Sequence, residues 1–400
     1  VYGAGRGTQR GAEPQRGLLA SVELALACVL LVGASLLAES LIRLDATSPG
    51  FQIRNVLTMQ MTLPRSKYAT TARQAEVLHQ VLDRVSNVPG VVAAGEISDA
   101  PLGRNNMATK FVIEGAQPAM EMGVRFITPG YLRAVGMTLV TGRDVGFSDT
   151  VNSPLVALVN QTAARRQWPG LNPIGQRIRF ADDPGWFTVA GVVADIKHLG
   201  LDADEGPAVY IPYTQKPWDF LSWATLVVRT SRDPMNYVSA VRNQIHGIDK
   251  DQPVSEITTL ERSLARSTAI PLLMASVVSA ISLLALIMAV IGVYGILAYA
   301  AAQRVPEISI RLALGASPPQ LLWMLVRQGM LRAMAGIAVG LAGAWMLTRF
   351  LASMLFGVEP HDAATFAATG IVLLIASLAA VSLPAWRALR IDPVPALRAD

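Results

Sequence analysis

The sequence predicts a membrane protein with four transmembrane helices and an extracytoplasmic α/β domain inserted between the first and the second helix. Charged residues make up only 16% of the 400 residues, whereas soluble domains contain about 25%. Four apolar stretches reach the roughly 20 residues with which a helix crosses a bilayer. A segment of mixed polarity, residues 44–268, separates the first stretch from the other three.

The first predicted helix, residues 18–43, follows a Gly- and Arg-rich segment, residues 1–17, that we interpret as a cytoplasmic linker. A cleaved signal peptide also places basic residues before an apolar run, but its apolar core has only about 7–15 residues. We therefore predict an uncleaved helix. Its one charged residue in the apolar run is Glu23, and we expect this carboxylate to face another helix or the headgroups, because mid-bilayer charge is costly.

The other three helices are predicted at residues 269–302, 330–351 and 366–386. The second helix carries no charge from Ile270 to Ala302 and reaches about 50 Å, against a hydrocarbon core of about 30 Å. We expect it to project from the bilayer. Small residues allow helix backbones to approach closely, and four glycines are candidates for such packing: Gly292, Gly295, Gly336 and Gly340.

Arginine placement predicts the orientation. The segments 1–17, 303–329 and 387–400 each contain several arginines, whereas the loop 352–365 has acidic residues and neither Lys nor Arg. Basic loops remain in the cytoplasm. Both termini and the loop 303–329 are therefore predicted to be cytoplasmic, and the loop 352–365 and the insert 44–268 to lie on the other side.

The insert has the pattern of a soluble α/β domain. Apolar and polar residues alternate over 57–63, which is typical of a half-buried strand, and an amphipathic helix follows at about 71–88. A strand is predicted at Val91–Ile97. Further strands are predicted at Lys110–Glu114, Leu155–Val159, Phe187–Val193 and Ala224–Val228, and further helices at Pro129–Val135, Gln161–Trp168 and Pro234–Ile248.

Motifs of enzymes are absent from the sequence. It has no HExxH pair, no GxSxG elbow and no GxxxxGK[ST] phosphate-binding loop, and the insert's histidines occur singly. We predict no catalytic residue, no bound cofactor and no metal site. The acidic run Asp202, Asp204 and Glu205 lacks the spacing of a calcium loop. Asp195, Lys197 and His198 follow a predicted strand, a position typical of functional loops, and we favour a solvated turn over a functional loop there.

Charge and cysteine content exclude other classes. The net charge of +5 comes from arginines beside apolar segments rather than from a basic patch with interleaved aromatics, so nucleic-acid binding is not predicted. The one cysteine, Cys28, excludes an intrachain disulfide framework and a cysteine zinc cluster. The insert must therefore be stable through its own core, which its length allows.

The loop 303–329 predicts two short amphipathic helices. Glu307 and Arg311 have the i,i+4 spacing of an ion pair. Gly315 suits a C-terminal cap, Ser317 an N-cap, and Pro318 the first position of the next helix. Two interpretations remain open. The pair of helices transmits the push of a cytoplasmic motor protein, or it rests on lipid headgroups as an interfacial segment.

The residues of this loop, QRVPEISIRLALGAS, resemble the MacB/FtsX/LolC-type family of ABC transporter permeases (type VII), in which an Arg-x-x-Glu-Ile-x-Ile-Arg-x-Ala-Leu-Gly-Ala pattern follows the second helix. Ser309 stands where that pattern commonly has Gly. The tail PAWRALRIDPVPALRAD is similar to the family's ending. The insert, with PGYLRAVGMTLVTGRDV and VALVNQTAARRQWPGLNPIGQRI, resembles a MacB-like periplasmic core domain.

The resemblance implies that the loop docks on a separate ABC ATP-binding subunit, which holds ATP and Mg²⁺, and that this chain is not itself an enzyme. The ATPase-coupling residues it implies are Arg304, Glu307, Ile308, Arg311, Leu314, Gly315 and Ser317. It also implies a bacterial inner-membrane location, a homodimer or a pairing with a related permease half, and a periplasmic adaptor as a candidate partner. The Gly/Arg-rich start resembles the middle of duplicated permeases, of which this chain would be the second half.

Two functions are consistent with the resemblance. The first is mechanical coupling of ATP binding and hydrolysis on the partner to conformational change in the periplasmic domain, for export or efflux. The alternative is an FtsX-like transducer that controls a periplasmic cell-wall hydrolase or a sensor. A membrane-anchored enzyme would require a cluster of polar catalytic residues, which the sequence does not contain.

Overall fold

A computed structural model describes residues 12–103, 107–116, 118–216, 222–303, 318–351 and 355–388. The chain divides into two units. One is formed by Val1–Ala46 and Ile270–Asp400, and we call it the helical bundle. The other, Thr47–Ala269, is called the inserted domain.

The described residues form eight α-helices, numbered in chain order: α1 (Ala12–Asp45), α2 (Thr71–Ser86), α3 (Tyr131–Val135), α4 (Gln161–Gln167), α5 (Val238–His246), α6 (Leu260–Gln303), α7 (Pro318–Leu351) and α8 (Ala363–Ala388). By length and composition, α1, α6, α7 and α8 each contain a segment able to cross a membrane. Four transmembrane helices are thus confirmed, in the predicted order.

All four membrane helices are longer than predicted, and the difference is largest at the starts of α6 and α7. α6 begins at Leu260, whereas the sequence placed residues 260–268 in the insert. Its 44 residues correspond to ~66 Å. α7 begins at Pro318 and runs unbroken to Leu351, so the second short helix expected in the loop 303–329 is the first part of this membrane helix. Local amphipathicity cannot distinguish a short helix from the start of a long one.

The inserted domain contains eleven strands among its described residues: β1 (Val56–Thr62), β2 (Val91–Ile97), β3 (Ala108–Ile113), β4 (Met120–Ile127), β5 (Leu139–Gly142), β6 (Val156–Asn160), β7 (Arg177–Phe180), β8 (Phe187–Val193), β9 (Ala208–Pro212), β10 (Trp223–Thr230) and β11 (Val254–Thr259). The predicted strands are all present, within a few residues. β4, β5, β7, β9 and β11 were not predicted.

The strand pairings form two parts. β11, β1, β10 and β2 form an antiparallel sheet in that order. A second group of six strands pairs in the order β4, β3, β7, β8, β6 and β9. This group forms a closed ring, because β9 also pairs with β4 in parallel. One residue pair, Ile97 of β2 with Ile127 of β4, joins the open sheet to this ring of strands.

The helix α2 covers the inserted core as its periodicity predicts. Thr70 caps its start by accepting a hydrogen bond from the backbone N–H of Arg73. Its buried side chains are Gln74, Val77, Leu78, Val81, Leu82 and Val85. The predicted helix over Pro234–Ile248 is instead a 3₁₀ turn, Pro234–Tyr237, followed by α5.

The strand β1 is more buried than its alternating pattern predicts. Leu57, Met59 and Met61 lie in the main core, but the intervening Thr58 is also buried. The Oγ1 of Thr58 lies 3.3 Å from the carbonyl oxygen of Thr258 and donates to it, which offsets part of the cost of burying a hydroxyl. A polar residue in alternation therefore does not by itself indicate a solvent-facing side.

Candidate functional site

The predicted ATPase-coupling residues, Arg304, Glu307, Ile308, Arg311, Leu314, Gly315 and Ser317, lie outside the described residues, as does the arginine-rich tail from residue 389. Their coupling role therefore stays a prediction. The ends of the two helices that the loop joins, Gln303 of α6 and Pro318 of α7, are described.

Contacts within the bundle determine the direction of each helix. Gly336 of α7 faces Ser21 of α1, and Gly340 faces Ala25, so α1 and α7 run parallel. α6 runs antiparallel to α1, because Gly292 faces Glu23 and Ser282 donates to the carbonyl of Leu30. Residues 303 and 318 therefore lie at one end of the bundle. The chain connections to the inserted domain leave from the other end.

Gly336 and Gly340 form the closest contact between α1 and α7. A Cβ at Gly340 would lie 2.6 Å from the Cβ of Cys28 and 2.8 Å from the backbone oxygen of Ala25. A Cβ at Gly336 would lie 2.8 Å from the backbone oxygen of Ser21. Real Cβ atoms do not approach so closely. The two glycines thus allow the backbones to touch, as small residues do in packed membrane helices.

The two predicted packing glycines of α6 differ from each other. A Cβ at Gly292 would overlap the Oε2 of Glu23, so the carboxylate of α1 lies against this glycine. Glu23 therefore faces another helix, which was one of the two expected environments. A Cβ at Gly295 would meet no described atom within 4 Å, so this glycine makes no close contact with a described helix.

At the end of the bundle opposite the loop 303–329, polar contacts that were not predicted from the sequence join α1 to the loop between α7 and α8. Arg43 of α1 pairs with Glu39 at 2.6 Å and donates to the carbonyl of Gly357. The hydroxyl of Ser40 accepts from the backbone N–H of Phe356 at 2.8 Å. The i,i+4 spacing of Glu39 and Arg43 was the available signal. The bonds from Arg43 and Ser40 hold the loop between α7 and α8 against the end of α1.

The first turns of α7 carry an aromatic–cation pair. The guanidinium carbon of Arg327 lies 5.2 Å from the ring centre of Trp323, whose side chain is exposed. Further along α7, the hydroxyl of Ser21 in α1 donates to the carbonyl of Arg332 at 3.3 Å. Trp and Arg side chains are typical of the headgroup region at the ends of membrane helices.

The predicted solvated turn after β8 is wrong for His198, whereas Asp195 and Lys197 are half-buried. His198 is buried, and neither ring nitrogen has a hydrogen-bond partner among the described residues. Asp195 accepts hydrogen bonds from the backbone N–H and the hydroxyl of Thr162 and from Arg165, each at 2.9 Å. Burial and the neighbouring charge of Arg125 hold the pKa of His198 well below its usual value. The charged and polar residue types suggested a solvent-exposed turn, but in the folded domain the side chain of His198 is buried.

Glu205 belongs to the same buried region. Its Oε2 accepts a hydrogen bond from the backbone N–H of His198 at 3.3 Å. Burial raises the pKa of Glu205 to about 7 from an ordinary value of 4.5. No group of three or more potential metal ligands occurs among the described residues.

Glu205→Gln is expected to stabilise the protein at high pH and not at low pH. The unfolded chain loses the Glu205 proton above its ordinary pKa of 4.5, whereas the folded chain retains it until about pH 7. The destabilisation by this carboxyl therefore grows between these values and reaches roughly 3 kcal/mol above pH 7, at about 1.4 kcal/mol per pKa unit. Thermal unfolding of both proteins at pH 5 and pH 8, by tryptophan emission, measures it. An equal difference in stability between the two proteins at both pH values would contradict the raised pKa of Glu205.

Family comparisons cover both units. The MacB-like periplasmic core domain matches residues 24–247, and the FtsX-like permease C-terminal domain matches residues 279–393. The first match alone spans more than half of the chain. The two matches follow each other in the order of the inserted domain and the last three bundle helices.

Individual relatives are more distant. The macrolide export ATP-binding/permease protein MacB of Mannheimia succiniciproducens is 26% identical over 307 residues, 73% of this chain and 46% of that protein. An uncharacterized ABC transporter permease, YknZ of Bacillus subtilis, is 23% identical over 287 residues, 69% of each chain. The chain spans less than half the length of the MacB proteins it matches.

Among solved structures, the periplasmic region of MacB from Actinobacillus actinomycetemcomitans is 15% identical and has a TM-score of 0.38, covering 55% of this chain and 95% of that one. The four membrane helices, the inserted α/β domain and the two family matches lead to one conclusion. The chain belongs to the MacB/FtsX-type family of ABC transporter permeases.

Proposed function

We propose that this chain is the permease subunit of an ABC export system and couples ATP binding and hydrolysis on a separate subunit to movement of the inserted domain. The observation that carries the proposal is the continuity of α6. Its first turns place Leu260 and Leu264 in a core of the inserted domain, and the helix ends at Gln303, where the loop 304–317 begins. One helix therefore leads from the proposed ATPase contact to the inserted domain.

The bundle geometry supports a mechanical path. A helix transmits a displacement along its axis better than a flexible loop, because its hydrogen-bonded backbone resists compression. Pro271 lies within α6 and lacks the N–H that would bond to the preceding turn. It lies next to the boundary between the two units, at Ala269 and Ile270. We infer that α6 bends at this proline when the loop is pushed.

The orientation is part of the proposal. Gln303 and Pro318 lie at the same end of the bundle. Arginines occur in the segment between them, residues 304–317, and in the first half of α7, at Arg327 and Arg332. The positive-inside rule places this end in the cytoplasm, together with both termini, and the inserted domain in the periplasm. The membrane is then the bacterial inner membrane, and lipid headgroups surround the Trp323–Arg327 pair.

The proposed partners follow from the relatives. The MacB of Mannheimia succiniciproducens is named as an ATP-binding and permease protein, whereas YknZ is named as a permease. The sequence contains no GxxxxGK[ST] phosphate-binding loop. We propose an ATP-binding subunit as partner, pairing of two permease units, and a periplasmic adaptor. Export is proposed because the relative is named as an exporter.

The double variant Arg311→Ala/Leu314→Ala is expected to lose stimulation of the partner ATPase and co-purification with it. The variant removes a cation and an apolar side chain from the proposed docking loop and leaves the described membrane helices unchanged. The measurement is ATPase activity of the co-expressed complex in proteoliposomes, with membrane insertion checked by fractionation.

The matched control is Arg166→Ala/Leu171→Ala, which removes the same residue types from exposed positions of the inserted domain. It is expected to keep normal stimulation. Unchanged stimulation in the Arg311/Leu314 variant would refute the role of the loop. The FtsX-like alternative predicts that the complex activates a cell-wall hydrolase and leaves compound efflux unaffected, so both activities are measured in the same strain.

A further inference from the structure

A cleft of about 400 Å³ lies beside α2 in the inserted domain, and we call it the α2 cleft. Helix α2 contributes Ala75 and His79 to one wall, and the loop after β5 contributes Phe147 and Val151 to another. Tyr213, from the turn after β9, completes it. Its size lies within the range of small-molecule sites, about 300–1,000 Å³, and its lining is mostly apolar.

The apolar walls are open to solvent. Phe147 and Val151 are 62% and 61% exposed, although both are large apolar side chains. The ring of Phe147 touches His79 edge-on, with ring centres 5.1 Å apart. Exposed apolar side chains that converge on one concave surface favour an apolar ligand, because a ligand removes them from water.

The loop that carries Phe147 is held in place on both sides. Asp149 is buried and accepts two hydrogen bonds from Arg143, each at 2.8 Å, and one from the backbone N–H of Gly146. The hydroxyl of Thr214 donates to the carbonyl of Asp149 at 2.6 Å. The exposed position of Phe147 is therefore a consequence of a well-bonded loop, and the wall exists before any ligand binds.

The charges of the lining indicate a neutral ligand. Its carboxylates are Glu76, paired with Arg73 at 2.6 Å, and Asp149, paired with Arg143. Neither Lys nor Arg is among the described lining residues. An anion would find no cation to pair with, and a cation would have to compete with arginines already in place. The remaining polar groups are hydroxyls and the His79 imidazole.

We propose that the α2 cleft binds a neutral apolar molecule, or a part of one, of about a dozen non-hydrogen atoms. The size follows from the volume, taking roughly 30 Å³ as the space of one water molecule in the liquid. The ligand is either a soluble molecule handled by the protein or the acyl chain of a lipid, because both offer this chemistry. Binding does not require the proposed coupling to an ATPase.

The test uses benzophenone, a neutral apolar photoprobe of the expected size, on the full chain in lipid nanodiscs without nucleotide. Irradiation followed by mass spectrometry is expected to find saturable labelling of the peptides that contain Leu78–Leu82 and Val145–Val151. A second arm uses a phospholipid with benzophenone at the end of its acyl chain. Cleft labelling by free benzophenone alone identifies a soluble ligand, and labelling by the lipid identifies an acyl chain.

Ala75→Trp fills the cleft and is expected to lower this labelling about tenfold or more. Gln80→Trp, on the exposed side of α2 and outside the lining, is the matched control and retains it. Phe147→Ser tests the opposite wall at an exposed position that tolerates substitution. Labelling that is not saturable, or that survives Ala75→Trp and Phe147→Ser, overturns the proposal. Since no ATPase is present, such a failure is distinct from a failure of the coupling loop.

Discussion

Replacing Gly340 by isoleucine is expected to separate α1 from α7 and to destabilise the helical bundle. The new side chain meets the backbone of Ala25 and the Cβ of Cys28 within 3 Å, and neither can move without moving α1. Inserting extra carbons into a packed contact costs typically 1–3 kcal/mol, and more where backbone must shift. With about 2–4 °C per kcal/mol for a unit of this size, the melting temperature should fall by roughly 5–10 °C.

The measurement can use Cys28, the one cysteine of the chain, which is fully buried beside Gly340. A maleimide dye that fluoresces on reaction with a thiol reports when the bundle opens around this residue during heating. Gly295→Ile is the matched control, because a Cβ there meets no atom of the described residues within 4 Å. We expect its melting temperature to equal that of the parent. Similar losses in both variants would mean that the α1–α7 contact is not close.

Replacing Glu96 by leucine is expected to stabilise the inserted domain. Glu96 is fully buried in β2, and no described residue donates a hydrogen bond to either carboxyl oxygen. A buried polar group without a partner costs about 1–3 kcal/mol, and leucine of similar size removes this cost. Thermal unfolding of the full chain, by tryptophan emission, measures the change. The control is Glu121→Leu, which removes an exposed carboxylate from β4 and should have little effect on the unfolding temperature.

The stabilisation by Glu96→Leu should grow with pH. Burial raises the pKa of Glu96 well above its ordinary value of 4.5, so the folded chain keeps a proton that the unfolded chain releases above that value. Stability is therefore lost in the parent as pH rises from about 4.5 towards the raised pKa. Glu96→Gln removes this pH dependence but keeps an unpartnered polar group. A destabilised leucine variant at pH 8 would show that Glu96 has a stabilising partner.

Local periodicity predicted the elements whose pattern is complete within one segment. The apolar spacing of α2 predicted its buried face, and Val91–Ile97 and Phe187–Val193 were predicted to the residue. β4 and β9 were missed. β9, AVYIP, is buried on both faces, so it shows no alternation that distinguishes it from a loop. Its place in the sheet depends on the parallel partner β4, far away in sequence.

The same limit applies to the candidate site. The GxxxG of Gly336 and Gly340 indicated a close contact but not its partner, and Gly295 looked equally suitable while making no such contact. His198 and Glu205 looked solvated because of their residue types, but the fold buries His198 and half-buries Glu205. Whether a polar residue is covered depends on segments that are remote in the chain.

The sequence by itself determined the four membrane helices, their order and the α/β nature of the insert, because bilayer thickness and helical or strand periods act over a few consecutive residues. Only the tertiary structure decided which glycines touch, that α6 begins in the core of the inserted domain, and that Phe147 and α2 enclose a cleft. These features arise from packing between distant segments, and packing depends on shape in three dimensions rather than on spacing along the chain.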